Sequence, residues 1–298
     1  MDARLEETVD LPDGRRLGFA EVGDPAGAPL LYFHGVPGSR LDFTPERCDE
    51  TLRAAGVRFI GVDRPGFGLS DPKPGRGHAD WPADVSALAD SLGLDRFAVL
   101  GYSRGGRYAL ACAALIPERL AAVGVLSPVT SPDMPGFARA CPRLLRIDQA
   151  FARRAPALWT RVTNSNVRRG KKKPAAVLAP LKLVLRSPAD RAALAANPRE
   201  FARYPIEAAR QSPADWRMEE TNQLDPLGFD IDEVKMPVKI WHGTADTLVP
   251  IAQGRHLAGR LASAELVELP DVGHLHTPER VAQIAAELTQ TRATQPSA

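Results

Sequence analysis

The segment Gly101-Tyr102-Ser103-Arg104-Gly105 places a serine between two glycines, after an apolar run and before an alanine-rich one. This pattern is typical of a strand that turns sharply into a helix and leaves the serine hydroxyl accessible as a nucleophile. Glycines on both sides of such a turn let the strand and the helix approach without a Cβ clash. Because a short G-x-S-x-G match also arises by chance, a nucleophilic Ser103 requires partner residues elsewhere in the chain.

A serine hydroxyl is a poor nucleophile without a general base, and the six histidines are the candidates. His274 follows the last predicted strand, and a helix begins just beyond it. Loops at the carboxyl ends of parallel strands build sites, so His274 is the predicted base. His276 lies two residues further on, and its spacing does not exclude it. Loop-shaping or solvent-exposed positions are expected for the other four: His34, His78, His242 and His256.

The acid that orients the base is expected in a loop at the end of another strand. Asp246 follows the penultimate strand and precedes His274 by 28 residues, which leaves room for one helix and one strand. The chain order Ser103, Asp246, His274 is one of the known orders of a Ser-His-Asp triad. Asp133, which follows an earlier strand, is the alternative acid.

Ester-type chemistry at Ser103 also needs donors for a developing oxyanion. A glycine-rich turn at 34–39, HGVPGS, follows an apolar strand and is the predicted source of one donor. We predict the backbone N–H groups of Val36 and Arg104 as the two donors. Pro37 has no N–H and cannot serve.

The side chain of Arg104 has two alternative roles. Either it faces the substrate pocket and pairs with an anionic group of the substrate, or a neighbouring acid holds it. The second role is favoured, because an unpaired cation beside the nucleophile would be buried without compensation. The candidates for substrate contact are Arg104, Tyr102 and His34.

The elements that must position these residues alternate between strands and helices. A hairpin is predicted at 7–23, and helical spacing places Trp81, Val85, Leu88 and Leu92 on one face. Such alternation predicts parallel β-α-β units with right-handed crossovers. The predicted strands after the hairpin lie at 30–33, 57–62, 96–101, 121–126, 238–242 and 265–269, and the last helices at 251–262 and 278–290.

The alternation stops near Pro132 and resumes at Val238. Residues 133–228 are helical in character and hold 18 Lys and Arg against 9 Asp and Glu, in a chain whose net charge is +2. This asymmetry predicts a helical insertion in an acidic core domain made of 1–132 and 229–292. Residues 293–298 are predicted to be a disordered tail.

Other features of the chain have simpler interpretations. The basic run RRGKKK at 168–173 is predicted to be a solvated loop, with phosphate or membrane-surface binding as the alternative. Aromatic residues of the insertion either line a pocket or pack between helices: Phe137, Phe151, Trp159, Phe201 and Trp216. Three cysteines without a C-x-x-C pair, and no signal or membrane-spanning pattern, predict reduced thiols in a cytoplasmic protein.

Five segments together resemble the α/β-hydrolase fold proteins of the lipase, esterase and epoxide-hydrolase-like group: HGVPGS at 34–39, DRPGFGLSD at 63–71, GYSRGG at 101–106, WHGTADTLVP at 241–250 and DVGH at 271–274. The resemblance implies an eight-stranded, mostly parallel α/β sheet flanked by helices, with residues 133–228 as a cap inserted after the sixth strand. Ser103 at the elbow disfavours the branches with an aspartate nucleophile, haloalkane dehalogenases and soluble epoxide hydrolases. The basic cap disfavours prolyl iminopeptidases, whose cap acids grip a substrate amine.

We therefore expect a serine hydrolase, a carboxylesterase or lactonase, that acts on a small-molecule substrate through an acyl-enzyme. No metal, cofactor, nucleic acid or membrane insertion is expected. A C–C bond hydrolase, a thioesterase or a biosynthetic tailoring enzyme with the same triad is one alternative. A binding receptor with slow turnover is the other.

Overall fold

The computed structural model describes residues 4–42 and 45–290, and a single sheet of eight strands lies at its centre. The predicted tail at 293–298 lies outside the described residues. The strands are β1 (Arg4–Asp10), β2 (Arg16–Gly23), β3 (Ala28–Phe33), β4 (Val57–Val62), β5 (Phe97–Tyr102), β6 (Leu120–Leu126), β7 (Val238–Gly243) and β8 (Ala264–Leu269). Strand order across the sheet is β1-β2-β4-β3-β5-β6-β7-β8, with β2 antiparallel to β1 and β4 and the other neighbours parallel. The predicted mostly parallel sheet is confirmed.

The central strands are continuous apolar runs because both faces of the sheet are covered. Every residue of β5 is buried, and the last four of β3 are buried as well. Successive side chains of a strand point to opposite faces, so Leu31 and Phe33 enter one core and Leu30 and Tyr32 the other. Strands covered by helices on both sides read this way in parallel sheets.

Helices supply those covers. Outside the insertion the helices are α1 (Pro45–Ala54), α2 (Trp81–Ser91), α3 (Gly105–Leu115), α11 (Ala252–Arg260) and α12 (Pro278–Gln290). Trp81, Val85 and Leu88 of α2 pack on one face with residues of α3 and α11, and α1 and α12 cover the other face. Short 3-10 turns lie at His78–Asp80, Pro117–Arg119 and Ile231–Glu233.

The chain between β6 and β7 is helical, as expected for an inserted cap. Its helices are α4 (Phe137–Ala140), α5 (Arg143–Arg154), α6 (Pro156–Lys172), α7 (Pro174–Val184), α8 (Pro188–Ala196), α9 (Pro198–Ala208) and α10 (Ala214–Thr221). Leu178, Leu194 and Phe201 belong to a separate apolar cluster of these helices, and the rings of Trp159 and Trp216 meet edge to face at 5.7 Å. The exact division into a core of 1–132 and 229–292 and a cap of 133–228 stays a prediction.

The sequence analysis predicted a loop for the basic run at 168–173, and this prediction is wrong. The first five residues of the run form the end of α6, and its four charged side chains there are exposed. Positive charges in the last turn complement the partial negative charge of a helix C-terminus, which favours a helix over a solvated loop.

One buried carboxylate of α10 attaches the insertion to the core. Glu219 accepts hydrogen bonds from Arg64 at 3.1 and 2.8 Å, from Arg76 at 2.9 Å and from the Tyr108 hydroxyl at 3.0 Å. Burial raises the pKa of Glu219, but the charges of Arg64 and Arg76 outweigh it and hold this pKa well below its usual value. The carboxylate is therefore ionised, and it bonds three core side chains that are all buried.

Glu219→Gln tests the strength of this attachment. The amide keeps the shape but removes the charge, which leaves Arg64 and Arg76 without their shared counter-ion, and we expect a loss of about 3–5 kcal/mol of unfolding free energy. Urea denaturation measures it, with the exposed Glu233→Gln as the control. Equal losses in the two variants would contradict a special role for Glu219.

Gly105→Ala tests the close approach of α3 to β3. A Cβ at Gly105 would lie 2.0 Å from the carbonyl oxygen of Phe33, so backbone has to move, and we expect a loss of about 1–3 kcal/mol. Gly259 of α11 is the matched control, because a Cβ there meets nothing within 4 Å. Gly259→Ala is expected to gain about 1 kcal/mol through helix propensity. A stable Gly105→Ala in the same denaturation assay would refute the steric account.

Candidate active site

Ser103 lies in the tight turn between β5 and α3, in a conformation that side chains seldom adopt. Its φ is 53°, in the left-handed region. Its N–H donates to the Leu126 carbonyl at 2.8 Å, and its carbonyl accepts from Gly106 and Val129 at 3.1 and 3.0 Å. Such strain persists only where the surroundings over-determine the backbone, and it concentrates at functional positions.

The glycines of the predicted elbow are required by space. A Cβ at Gly101 would lie 2.4 Å from the Gly105 carbonyl oxygen, so strand and helix pass too closely for a side chain. Gly35 brings the 34–39 turn against the elbow, since a Cβ on it would lie 3.3 Å from Cβ of Ser103. The turn expected to supply an oxyanion donor therefore lies beside the predicted nucleophile.

Asp246 and His274 are hydrogen-bonded. Nδ1 of His274 lies 2.7 Å from Oδ2 of Asp246, and both side chains are buried. The other carboxylate oxygen accepts from the N–H groups of Leu248 and Val249 at 2.9 and 2.8 Å. With Nδ1 donating to the carboxylate, the neutral imidazole presents Nε2 as its acceptor.

The pair shifts both pKa values in the direction a general base requires. Burial raises the pKa of Asp246, but the charge of His274 and hydrogen bonds from His274 and His242 hold it well below its usual value. Burial lowers the pKa of His274, but Asp246 outweighs it and raises this pKa above 6.5. Asp246 thus stays ionised and stabilises the imidazolium that forms when His274 takes a proton.

Two further side chains hold the backbone around His274. The Tyr102 hydroxyl donates to the His274 carbonyl at 2.9 Å, and the two rings stack with centroids 5.3 Å apart. Oδ1 of Asp190, in the first turn of α8, accepts from the Leu275 N–H at 2.7 Å. Sequence reasoning missed Asp190, because one acid in a helical segment carries no sign that it folds back on a loop 85 residues later.

His276 and the alternative acid are not paired with each other, and His242 contacts the predicted acid from its own loop. Nε2 of His276 lies 3.0 Å from the Ser127 hydroxyl, and burial lowers the pKa of His276 to about 3. His242 places Nε2 2.8 Å from the Val249 carbonyl oxygen and 3.5 Å from Oδ2 of Asp246. Asp133 is exposed and pairs with Arg260, so the structure does not bring it to His274.

Arg64 holds the 34–39 turn in place. Its guanidinium donates to the carbonyls of His34 and Gly35, and its backbone N–H donates to Nε2 of His34 at 3.1 Å. Asp63 accepts from Arg40 and from the Leu69 N–H, so the Asp63-Arg64 turn has a structural role. Burial lowers the pKa of His34 well below 6.5, so its ring is neutral.

The Arg104 guanidinium is held by α10. It lies 2.8 Å from Oε2 of Glu220 and 3.3 Å from the side-chain oxygen of Gln223, and it also donates to the Glu219 carbonyl. This is the second alternative, a neighbouring acid that ties the cation down. The oxyanion roles of the Arg104 and Val36 N–H groups stay predictions.

Tyr102 and His34, the other predicted substrate contacts, both have structural partners. The Tyr102 hydroxyl bonds the backbone of the His274 loop, and both ring nitrogens of His34 lie within hydrogen-bond distance of turn backbone. Their contact with a substrate stays a prediction.

Three further properties concern membrane-spanning helices, metal-type clusters and cysteines among the described residues. No helix within 4–42 and 45–290 is long and apolar enough to cross a membrane. Nowhere in those same ranges do three or more His, Cys, Asp or Glu side chains cluster as a metal site would require. All three cysteines are free thiols.

Curated relatives match only part of the chain. A segment of 115 residues is 34% identical to the dihydrolipoyllysine-residue acetyltransferase component of the acetoin cleaving system of Pseudomonas putida, and covers 38% of this chain and 30% of that protein. Another of 119 residues is 34% identical to a proline iminopeptidase of Xanthomonas citri, and covers 36% and 34%. The chain therefore spans about a third of the length of these two relatives.

Solved structures match almost the whole fold. A thermophilic esterase from Thermogutta terrifontis superposes with a TM-score of 0.69 over 99% of this chain and 100% of that one, at 22% identity. A family model described as the alpha/beta hydrolase fold matches residues 28–279, from β3 to the start of α12. The chain therefore belongs to the α/β-hydrolase fold family.

Proposed function

We propose that this chain is a serine hydrolase that cleaves ester bonds of small molecules through an acyl-enzyme. The observation that carries the proposal is the buried Asp246–His274 pair at 2.7 Å, together with a serine held at a left-handed φ on the strand-to-helix turn. A serine on such a turn and an acid-oriented histidine are two of the parts that acyl transfer requires. The nearby glycine-rich turn offers the third, a place for the oxyanion.

In this mechanism Ser103 attacks the carbonyl carbon while Nε2 of His274 takes the hydroxyl proton. The negative charge that develops on the carbonyl oxygen is held by the N–H groups of Val36 and Arg104. His274 then gives its proton to the leaving alcohol, and the acyl group stays on Ser103. Water, deprotonated by His274, attacks the acyl carbon and releases the acid.

The paired state of the α10 acids favours ester over N-terminal peptide substrates. A site for a substrate amine needs a carboxylate that is not already neutralised. Glu219 is bonded by Arg64 and Arg76, and Glu220 by Arg104. Neither acid is free to bind an ammonium group, which supports an esterase over the iminopeptidase reaction of one relative.

Ser103→Ala tests the nucleophile. With no hydroxyl to acylate, the variant is expected to lower kcat/KM for p-nitrophenyl acetate by a factor on the order of 10⁴ or more. Ser91→Ala removes a hydroxyl that bonds only within α2, and it is expected to keep the parent rate. Equal rates for Ser103→Ala and the parent would overturn the proposal. If a fluorophosphonate labels Ser103 but the protein does not turn over esters, the result would instead support a binding receptor with slow turnover or a hydrolase of a different substrate class.

His274→Gln and His276→Gln distinguish the two neighbouring histidines. Loss of the base is expected to lower kcat about as much as loss of Ser103, because the two act as a unit. His276 bonds Ser127 rather than an acid, so its variant is expected to lose far less activity. The reverse ranking in the same assay would assign the base to His276.

The pH profile tests the role of Asp246. Because this carboxylate raises the pKa of His274, kcat/KM is expected to fall as pH falls through that raised value, where the base becomes protonated. Asp246→Asn removes the raising charge and leaves the lowering effect of burial. The acidic limb should then move to lower pH, with a rate loss on the order of 10⁴ at the optimum.

Asp133→Asn is the matched control for this profile, since Asp133 pairs with Arg260 and not with a histidine. Its acidic limb should coincide with that of the parent. A shifted limb in Asp133→Asn, or an unshifted one in Asp246→Asn, would contradict the assignment of the acid.

A further inference from the structure

A cavity of about 90 Å³ lies between α10 and the start of α3, and we call it the arginine pocket. Its volume is that of a few water molecules, each of which takes about 30 Å³ in the liquid. Ser103, Asp246 and His274 do not line it. The residues on its wall are Arg76, Gly77, His78, Arg104, Arg107, Tyr108, Glu219, Asn222, Gln223, Asp225 and Pro226.

Arg107 is the unusual member of this wall. It is 2% exposed, and its guanidinium donates only to carbonyl oxygens, two bonds to Thr130 at 3.0 and 2.6 Å and one to Gln223 at 3.0 Å. Among the described residues no carboxylate forms an ion pair with it. Burial and the neighbouring charge of Arg104 lower the pKa of Arg107 to about 9, which is the sign of a cation without its counter-ion.

The two buried acids beside the pocket already pair with other cations. Glu220 pairs with Arg104, whereas Glu219 serves both Arg64 and Arg76. Asp215 lies 3.8 Å from Arg76, outside the pocket wall. Asp225, a further acid of the wall, is exposed and forms no ion pair with Arg107 among the described residues. Arg107 is therefore the buried guanidinium of this group that lacks a carboxylate partner.

A second polar group of the wall also lacks a partner. Nε of Arg76 is buried and makes no hydrogen bond within the described part of the chain, although the same guanidinium donates to Glu219 and to the Pro65 carbonyl. A buried N–H without an acceptor has lost its hydrogen bonds to water without replacement, which destabilises the fold. An acceptor in the cavity would remove this destabilisation.

We propose that the arginine pocket binds one small oxyanion, a carboxylate or a phosphate. The anion supplies the negative charge that Arg107 lacks and acceptors for donors on the wall. Since the wall joins Asn222 and Gln223 after α10 to Arg107 of α3, a bound anion stabilises the contact between the insertion and the helix that follows Ser103. Guanidinium groups are the side chains best suited to hold such an anion.

Thermal unfolding of the full chain in sodium phosphate, at constant ionic strength, tests the site without any need for turnover. A ligand that binds only the folded state raises the Tm, by about 2 °C when its concentration reaches about five times Kd. We expect a saturable rise, and calorimetric titration should give one site per chain. A rise that does not saturate, or no rise, would overturn the proposal.

Three variants locate the effect. Arg107→Gln should weaken phosphate binding about tenfold or more, since bonds to charged groups are the strong ones. Asn222→Asp places a carboxylate on the pocket wall, so the protein should keep its fold and lose the phosphate response. Arg119→Gln is the matched control, because Arg119 bonds Asp90 and two carbonyls away from the pocket. A response that persists unchanged in Asn222→Asp would refute the site even if Arg107→Gln fails to fold.

Inhibition kinetics distinguish an oxyanion that is part of the substrate from a free ion. If the oxyanion belongs to the substrate, phosphate competes with a p-nitrophenyl ester that carries a carboxylate but not with p-nitrophenyl acetate. If it is a free ion, phosphate competes with neither ester and still raises the Tm. Failure of the proposed esterase activity would leave the Tm and calorimetric results unaffected, so the two proposals are tested separately.

Discussion

The ionised carboxylate of Glu219 joins parts of the fold that the backbone alone does not connect. It accepts hydrogen bonds from Arg64 and Arg76, which follow β4, and from Tyr108 of α3. The same residue offers its main-chain carbonyl to Arg104, next to the predicted nucleophile. A buried charge is stable only when its hydrogen-bonding partners are in place, so the positions of the Glu219 side chain and its three partner side chains depend on one another. The position of the 34–39 turn depends on the same contacts, because Arg64 also donates to the carbonyls at the start of that turn.

Residues of the insertion thus contribute to the geometry of a proposed site whose predicted reacting groups follow strands of the sheet. Glu220 of α10 acts on the elbow through Arg104, and Glu219 acts on the 34–39 turn through Arg64. Asp190 of α8 acts on the His274 loop. Rigid supporting contacts of this kind hold reacting groups within the narrow tolerances that acyl transfer needs. The insertion therefore contributes supporting contacts to the proposed site.

Much of the framework was predictable because it depends on local patterns. The central strands were predicted from apolar runs, which arise because helices cover both faces of the sheet. The Val57–Val62 strand was predicted at its observed bounds. Ser103, Asp246 and His274 each follow a strand, and parallel strands end at one edge of the sheet. Their placement at the same edge of the sheet therefore follows from the order of strands and loops.

The remaining contacts could not be predicted, for a physical reason. Arg64 and Glu219 are separated by 155 residues, and an acidic pair on a short helix looks like any solvated face until the fold is known. The contact of Asp190 with the His274 loop could not be predicted for the same reason. The run at 168–173 was predicted wrongly as a loop, because its charge density masked the favourable placement of cations at a helix end.

The hydrogen bond from Tyr102 to the His274 carbonyl has a consequence for the spacing of the proposed reacting residues. Tyr102 precedes Ser103 in the chain, so one residue is covalently joined to the proposed nucleophile and hydrogen-bonded to the backbone of the proposed base. An aromatic ring has a fixed length, and it acts as a rigid spacer between the end of β5 and the loop before α12. One side chain of β5 therefore sets part of the separation between the proposed nucleophile and the loop of the proposed base.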